Sequence, residues 1–411
     1  MVLPLSLSEA RTYAAASCFR TGPVGRVGVE LEWLVYDAAD PLRRVPLDEL
    51  RSALDVLPAV LPGGGLVTVE PGGQVELSSA PGPDLVACAE ATAADLGVLR
   101  SAIRTAELRL AGSGLDSDRP PHRVLDTPRY AALEAFYDRF GGPGGRAMMA
   151  NSASVQVCLD AGHDSDGVTG YRFRWALADA LGPVLMAAFA NSPAWAGRRT
   201  GWRSTRQRFR FGTDPGRSRA PRRSADPRAA WARYALDARV VCVRDEPSGG
   251  WAVPDMTFRQ WLLGDGPRPA TLDDLEFHLG TLFPPVRPRG YLELRMIDAQ
   301  AGDGWIVPLA VVTALFDDPV AAQTAAALAS RRPVRRHAEW LRAARYGLAD
   351  PQVAAVALGC FEAAGESLAR TGAPAAIRAA VADFTDRYPA RGRCPADDAL
   401  VGAHPAEHQP T

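Results

Sequence analysis

Two glutamates, spaced two positions apart, are the residues whose type and spacing most clearly suggest chemistry. Glu30 and Glu32 lie in the run 27–35, where they alternate with apolar residues. Because alternate side chains of a β-strand point to opposite faces, the two carboxylates share one face, with Cα atoms about 6.6 Å apart. Such a pair is either hydrated on an ordinary strand face or shared by a hard divalent cation such as Mg²⁺, which prefers carboxylate oxygens.

Three further segments have the same alternation of polar and apolar residues. Residues 66–79 predict a hairpin with a turn at Pro71-Gly-Gly73, and 152–159 and 291–298 each predict a strand. If these strands are neighbours, their polar faces bring together Glu30, Glu32, Glu76 and Glu293. Converging carboxylates repel one another and lose hydration, and Mg²⁺ is a better match than zinc because no His or Cys cluster lies nearby.

The elements that position these residues predict an α+β fold. Four strands with one polar and one apolar face indicate an antiparallel sheet with helices on its apolar side. The expected helices cover 6–18, 46–57, 83–111, 171–191, 256–263 and 271–279, followed by Ala-rich helices to about residue 387. We expect one domain over residues 1–394, whose last third is mainly helical, and a disordered tail over 395–411.

Composition excludes several classes of protein. With 47% hydrophobic residues and no apolar run near the ~20 residues of a membrane span, a cytoplasmic protein without a membrane segment is expected. The six cysteines are scattered and contain no Cys-x-x-Cys pattern, which indicates reduced, structural thiols. The chain has no lysine, so a mechanism that needs an amine side chain, including the Walker A lysine, is excluded.

Residues 198–239 contain thirteen arginines, and three interpretations are open. The arginines could form a solvated, salt-bridged surface, bind nucleic acid together with the interleaved aromatic residues, or clamp phosphate and carboxylate groups of small substrates. The net charge of −1 favours the third interpretation over the second.

Several motifs together resemble the plant-type glutamate–cysteine ligase family. They are Gly28-Val-Glu-Leu-Glu-Trp33, Glu70-Pro-Gly-Gly-Gln-Val-Glu-Leu-Ser78, the Val155-Gln-Val157 core of residues 149–160, Ala190-Asn-Ser-Pro193, Gly201-Trp-x-Ser-x-Arg206 and Tyr291-Leu-Glu-Leu-Arg295. Within this family the chain is most similar to the actinobacterial enzymes of ergothioneine biosynthesis. One departure is that only arginine is present where plant relatives carry lysine in the Arg-rich region.

The resemblance implies a glutamine-synthetase-like fold, with a curved antiparallel sheet around a funnel-shaped active site and helices on its outer face. It implies that ATP phosphorylates the γ-carboxylate of L-glutamate and that the amine of L-cysteine then attacks the acyl phosphate. By the same resemblance, Mg²⁺ bound to ATP is held by Glu30, Glu32 and Glu76.

The resemblance gives four further residues a role. Glu293 is a further metal ligand or an orienting group in catalysis. Arg295 is a catalytic residue that contacts a substrate carboxylate or the transferring phosphoryl group. Gln156 and Arg206 are substrate-binding or ATP-binding residues, because they lie in matching motifs.

Three alternatives stay open at this point. The first is a related carboxylate–amine ligase with another amino acceptor. The second is a nucleic-acid-binding protein built on residues 198–239. The third is a catalytically inactive family member with a regulatory role, which the intact set of glutamates disfavours. The sequence leaves the oligomeric state open.

Overall fold

Eleven β-strands are present in the computed structural model, which describes residues 3–245, 250–331 and 336–402. In chain order they are β1 (Val27–Asp37), β2 (Leu66–Val69), β3 (Val75–Ser78), β4 (Leu108–Ala111), β5 (Ser154–Asp160), β6 (Ala194–Trp195), β7 (Arg198–Arg199), β8 (Val243–Asp245), β9 (Gly250–Ala252), β10 (Val286–Pro288) and β11 (Tyr291–Asp298). Seven of them form one antiparallel sheet in the order β10-β11-β5-β1-β3-β2, with β4 paired to the end of β1. The strands β6 with β7 and β8 with β9 form two separate two-stranded sheets.

The register of the large sheet places polar residues of neighbouring strands side by side. Glu30 on the central strand β1 lies between Gln156 of β5 and Ser78 of β3. Glu32 lies directly opposite Glu76. The predicted convergence of polar residues from several strands is therefore confirmed.

Helices occupy most of the remaining described chain. They are α1 (Leu7–Ser17), α2 (Leu47–Leu54), α3 (Leu85–Thr105), α4 (Pro128–Phe140), α5 (Gly145–Ala150), α6 (Tyr171–Ala188), α7 (Thr205–Gly212), α8 (Pro215–Ser218), α9 (Pro227–Asp237), α10 (Phe258–Gln260), α11 (Leu272–Leu279), α12 (Ile306–Asp317), α13 (Pro319–Ser330), α14 (Arg336–Tyr346), α15 (Pro351–Arg370), α16 (Ala375–Arg387) and α17 (Pro395–Gly402). The predicted helical character of the last third is confirmed.

The apolar face of the sheet is covered by helices. Val29 and Leu31 of β1, with Val157 of β5 and Leu292 of β11, are at most 1% exposed and belong to one large hydrophobic core. Helices α3, α6 and α12 pack on this side of the sheet. The core therefore fixes which face of each strand is free to carry polar side chains.

The helix predicted over 83–111 is wrong at its C-terminal end. Helix α3 stops at Thr105, and Glu107 has a left-handed φ of 56° that ends the helical path. The chain then continues as β4, which pairs with the second half of β1. The Ala- and Leu-rich pattern did not reveal this strand because its partner lies about seventy residues earlier in the chain.

The disordered tail predicted over 395–411 is wrong for residues 395–402, which form α17. Asp397 forms an ion pair with Arg203 at 2.6 Å, and Asp398 forms ion pairs with Arg387 at 2.6 Å and Arg393 at 2.7 Å. The contact with Arg203, which is distant in sequence, could not be predicted from the sequence of the segment itself. Residues 403–411 lie outside the described residues.

Among the described helices, none is by itself long and apolar enough to cross a membrane. Helices α12 and α13 satisfy that requirement only as a pair, and their axes meet at an angle of 96°.

Candidate active site

A cleft of about 390 Å³ lies over the polar face of the sheet. One part of its lining is acidic and consists of Glu30, Glu32, Glu70 and Glu76. Another part is basic and consists of seven arginines, namely Arg129, Arg206, Arg210, Arg217, Arg287, Arg289 and Arg295. This distribution of charge suits a ligand that carries both anionic groups and a cation.

The turn between β2 and β3 brings Glu70 into the cleft. Gly73 has a φ of 85°, and a Cβ atom on Gly72 would lie 1.9 Å from the carbonyl oxygen of Ala150. Both positions therefore require glycine. Gln74 Nε2 donates to the carbonyl oxygen of Ser152 at 2.9 Å, which fastens the turn to the segment before β5.

The four carboxylates of the acidic wall differ in their hydrogen bonds. Glu32 accepts from Ser154 Oγ at 2.9 Å and from Gln156 Nε2 at 2.7 Å. Glu76 accepts from the hydroxyl of the nearby Ser78 at 2.9 Å. No described residue donates to the carboxylates of Glu30 or Glu70. These two carboxylates therefore have all their lone pairs available for a ligand.

Burial and mutual repulsion make the acidic wall unfavourable for negative charge. Burial, and next the charge of Glu32, raise the pKa of Glu70 to about 7 and that of Glu76 to about 8. Burial, and secondarily the charge of Glu293, also raises the pKa of Glu30. A cation bound here would relieve this repulsion.

Glu293 is completely buried and is not part of the cleft lining. It accepts from Arg287 Nε at 2.5 Å and Nη2 at 2.9 Å, and from Arg295 Nη1 at 2.7 Å. Burial alone raises the pKa of Glu293, but the Arg295 and Arg287 guanidiniums outweigh it and lower the pKa to about 2. Of the two predicted roles, metal ligand or orienting group, this geometry favours the second.

Arg295 connects Glu293 to the acidic wall. The same Nη1 atom donates to Gln156 Oε1, which directs the amide nitrogen of Gln156 towards Glu32. Hydrogen bonds thus run without interruption from the buried Glu293 to a carboxylate of the cleft. Arg295 and Gln156, both predicted site residues, are therefore in the cleft and in contact with each other.

A bulge in β11 is closed by residues of α7. The register of β11 against β5 shifts between Leu294 and Ile297, which removes the carbonyl groups of the two intervening residues from the ladder. The Arg295 carbonyl oxygen accepts from Arg206 Nη2 at 3.1 Å, and the Met296 carbonyl oxygen accepts from Gln207 Nε2 at 2.8 Å. The predicted site residue Arg206 is thus largely committed to holding the bulge.

Asp298 joins two of the motifs found in the sequence. Its carboxylate accepts from the Asn191 backbone N–H at 2.8 Å, from Ser192 Oγ at 2.8 Å and from Ser204 Oγ at 3.1 Å. It also pairs with Arg206 at 3.3 Å, and both side chains are 1% exposed. Residues 190–193 and 201–206 therefore support the cleft wall from behind.

The acidic wall can supply part of a metal site. Within the described residues, no group of three or more His, Cys, Asp or Glu side chains already surrounds a point that could hold a metal ion. Mg²⁺ commonly takes only one or two protein carboxylates and completes its shell with waters and substrate phosphates. Because Glu30 and Glu70 accept no hydrogen bond from the described protein, their oxygens fit this partial role.

The comparisons with known proteins agree with the geometry. The model of the family "Glutamate-cysteine ligase family 2 (GCS2)" matches residues 26–409. The chain belongs to this family. Two relatives, both named glutamate–cysteine ligase EgtA, are the proteins of Mycobacterium tuberculosis H37Rv and Mycolicibacterium smegmatis. The first is 42% identical over 401 residues (95% of this chain, 89% of the relative) and the second is 41% identical over 411 residues (94% and 93%).

A solved structure shows the same fold as this glutamate–cysteine ligase family member. The glutamate–cysteine ligase of Francisella tularensis, in complex with AMP, superposes with a TM-score of 0.51 at 12% identity. The match covers 95% of this chain and 87% of that chain. The predicted glutamine-synthetase-like α+β fold and the family resemblance are therefore confirmed.

Several residues that line the cleft of this family member were not predicted from the sequence. Glu70 is part of a quoted motif, but its position in a turn gives no alternation that would place it beside Glu76. Arg287 lies on the short edge strand β10, where only the register against Glu293 reveals its role. From the Arg-rich segment, Arg210 and Arg217 line the cleft together with Arg206, which favours the clamp for anionic substrates.

Proposed function

We propose that this protein catalyses the ATP-dependent ligation of L-glutamate to L-cysteine. The γ-carboxylate of glutamate attacks the γ-phosphorus of ATP, the bond to the leaving ADP breaks, and γ-glutamyl phosphate forms. The amine of cysteine then attacks the acyl carbon, inorganic phosphate leaves, and one amine proton is released. The main support is one cleft in which four carboxylates face seven arginines, within a chain of the glutamate–cysteine ligase family.

The side chains of the cleft match the demands of this reaction. Phosphoryl transfer needs alignment of the reactants and neutralisation of charge more than it needs a protein nucleophile. Arg295 is fixed by Glu293 and Gln156, so its guanidinium is presented to the cleft in one orientation. We propose that it binds a substrate carboxylate or the transferring phosphoryl group, and that Gln156 and Arg206 keep the surrounding wall in place.

We further propose that Glu30, Glu32 and Glu76 hold Mg²⁺, with Glu70 beside them. The ion, when bound, supplies positive charge to the phosphates of ATP. The chain supplies an acidic wall in which repulsion is relieved on binding, with Glu32 oriented by Ser154 and Gln156. Glu293 is proposed as the orienting group of Arg295.

Mass spectrometry of the products tests the proposal directly. Incubation with ATP, Mg²⁺, L-glutamate and L-cysteine is expected to give γ-glutamylcysteine, ADP and phosphate in equal amounts. Replacing cysteine by other amines under the same conditions tests the alternative that the protein is a related ligase with another amino acceptor. This alternative needs a test because acceptor choice depends on a few pocket contacts. If cysteine gives no more phosphate than buffer does, the proposed activity is wrong.

The resemblance to the actinobacterial branch leads us to propose that the product serves ergothioneine biosynthesis. Deletion of the gene in its host is then expected to lower ergothioneine, and added γ-glutamylcysteine is expected to restore it. Unchanged ergothioneine in the deletion strain would assign the product to another use.

A further inference from the structure

A buried guanidinium without a partner lies in the wall of the cleft. Arg210 of α7 is 5% exposed and lines the cleft. Its Nε and Nη1 atoms are inaccessible to solvent and have no hydrogen-bond partner. No described residue forms an ion pair with it, although the charge of Glu32 attracts it from farther away.

Other buried arginines of the described chain have clear partners. Arg206 pairs with Asp298 at 3.3 Å, and Arg217 Nη1 donates to Thr281 Oγ1 at 2.8 Å. Arg174, which is 0% exposed, pairs with Asp317 at 2.8 Å and donates to the Phe316 carbonyl oxygen at 2.6 Å. The lack of a partner at Arg210 is therefore not a general property of how this fold buries arginine.

The surroundings of Arg210 favour an incoming anion. Burial, and then the nearby charges of Arg206 and Arg295, lower the pKa of Arg210 well below its usual range. Arg206 and Arg210 are four residues apart on α7, so they lie on one face of the helix, where two like charges destabilise it. A buried charge without compensation is costly, whereas an anion bound between such guanidiniums removes that cost.

We propose that Arg210 binds an oxyanion of a substrate, either a carboxylate of an amino acid or a phosphoryl group of the nucleotide, and does not stabilise the fold. A guanidinium presents several N–H groups in one plane, which suits bidentate contact with either kind of oxyanion. The choice of substrates rests on the proposed function, whereas binding of an oxyanion by Arg210 does not.

The experiment compares Arg210→Met with wild type in thermal stability and binding. In the ligand-free variant Tm is expected to be equal or higher, because an uncompensated buried charge is replaced by an apolar side chain of similar length. The rise in Tm that inorganic phosphate gives wild type is expected to be lost. KM is then measured separately for glutamate, cysteine and Mg²⁺-ATP, and at least a tenfold rise is expected for the substrate whose oxyanion Arg210 binds.

Arg174→Met is the matched control, because Arg174 is also buried but is paired and is not part of the cleft lining. It is expected to lower Tm while leaving all three KM values within twofold and the phosphate effect intact. Arg210→Lys keeps the charge but not the bidentate contact, so its KM is expected between those of wild type and Arg210→Met. If Arg210→Met does not fold, the Arg210→Lys comparison alone decides.

Two results would overturn the assignment of Arg210. One is that all three KM values of the variants stay within twofold of wild type. The other is a loss of Tm like that of Arg174→Met with the phosphate effect retained. The two proposals can also fail separately. If wild type makes no γ-glutamylcysteine, and phosphate raises the Tm of wild type but not that of Arg210→Met, the proposed function is wrong while the oxyanion site stands.

Discussion

The carboxylates of this sheet differ in whether hydrogen-bond donors of the protein compensate their negative charge. Glu293 accepts from two guanidiniums inside the protein, so its charge is compensated before any ligand arrives. Glu76 has only the hydroxyl of Ser78 and faces Glu32 across the strand pair, so its charge is not compensated. Substitution of these residues by glutamine, which keeps the shape and removes the charge, separates the two situations.

Only Glu293→Gln, and not Glu76→Gln, is expected to lower the free energy of unfolding. The first leaves two buried guanidiniums without their counter-charge and should lower the free energy of unfolding by about 3 kcal/mol. The second removes repulsion and should leave the free energy of unfolding unchanged or raise it. Urea denaturation at pH 8 in EDTA measures both, and a decrease of similar size in the two variants would contradict the assignment of Glu293 as a charge-compensated orienting group.

Glu32→Gln is expected to fold normally and to lose Mg²⁺-dependent turnover. The side chain keeps its shape between Ser154 and Gln156, but one of the two oxygens becomes an amide nitrogen that cannot bind a cation. Phosphate release should fall below a tenth of the wild-type kcat, with Tm nearly unchanged. Glu90→Gln, on the exposed face of α3, is the control. A kcat of a tenth or more would show that Glu32 is not an essential ligand.

At the scale of elements, the hairpin of β2 and β3 determines how the acidic wall is built. Its turn was predicted from Pro71-Gly-Gly73, and the alternation in β3 correctly placed Glu76 on the polar face. The position of Glu70 could not be predicted, because it depends on packing of the turn against Ala150 and on the contact of Gln74 with Ser152. The alternation of residues in a strand predicts which side chains share a face, whereas the position of a turn depends on its packing against residues that are distant in sequence.

This hairpin makes the stability of the ligand-free protein depend on pH. The pKa values of Glu70 and Glu76, about 7 and about 8, are above the ordinary value of 4.5, so the folded state holds more protons than the unfolded state between these limits. Their contribution to stability is therefore present below about pH 4.5 and is lost as pH rises through 7 to 8.

The change with pH is measured by urea unfolding in EDTA at pH 5.5, 7.0 and 8.5. Wild type is expected to lose stability relative to the double variant Glu70→Gln with Glu76→Gln as pH rises. Added Mg²⁺ is expected to restore wild type at pH 8.5 and to have little effect on the variant. A stability difference between the two proteins that does not change with pH would contradict the raised pKa values.

At the scale of the whole molecule, the sheet with its two faces could be predicted and the arginine side of the cleft could not. The alternation around Glu30, Glu76 and Glu293 is local and appears directly in the sequence. The pairing of Arg287 with Glu293 depends on a three-residue edge strand, and the burial of Arg210 depends on packing between helices and the sheet. Because all 46 basic residues are arginine, composition gives no means of separating cleft arginines from surface ones.

The C-terminal helix α17 also supports the cleft, through contacts with residues that are distant in sequence. Ala396 N–H donates to the Ala190 carbonyl oxygen at 2.9 Å, and Asp397 pairs with Arg203 at 2.6 Å. Ala190 and Arg203 directly precede Asn191 and Ser204, which both donate to Asp298. The helix therefore holds both segments that position Arg206.

Two truncated chains test whether α17 supports the cleft. A chain that ends at Cys394 loses the contacts of Ala396 and Asp397, and Tm should fall by on the order of 4 °C. Its kcat/KM should fall as well, because Arg206 and the bulge of β11 lose support. A chain that ends at Gly402 keeps every described contact of α17 and should match the full chain in both measurements. Equal Tm and activity for the two truncated chains would show that α17 is dispensable, and that Asp298 is sufficient to hold the two segments against the sheet.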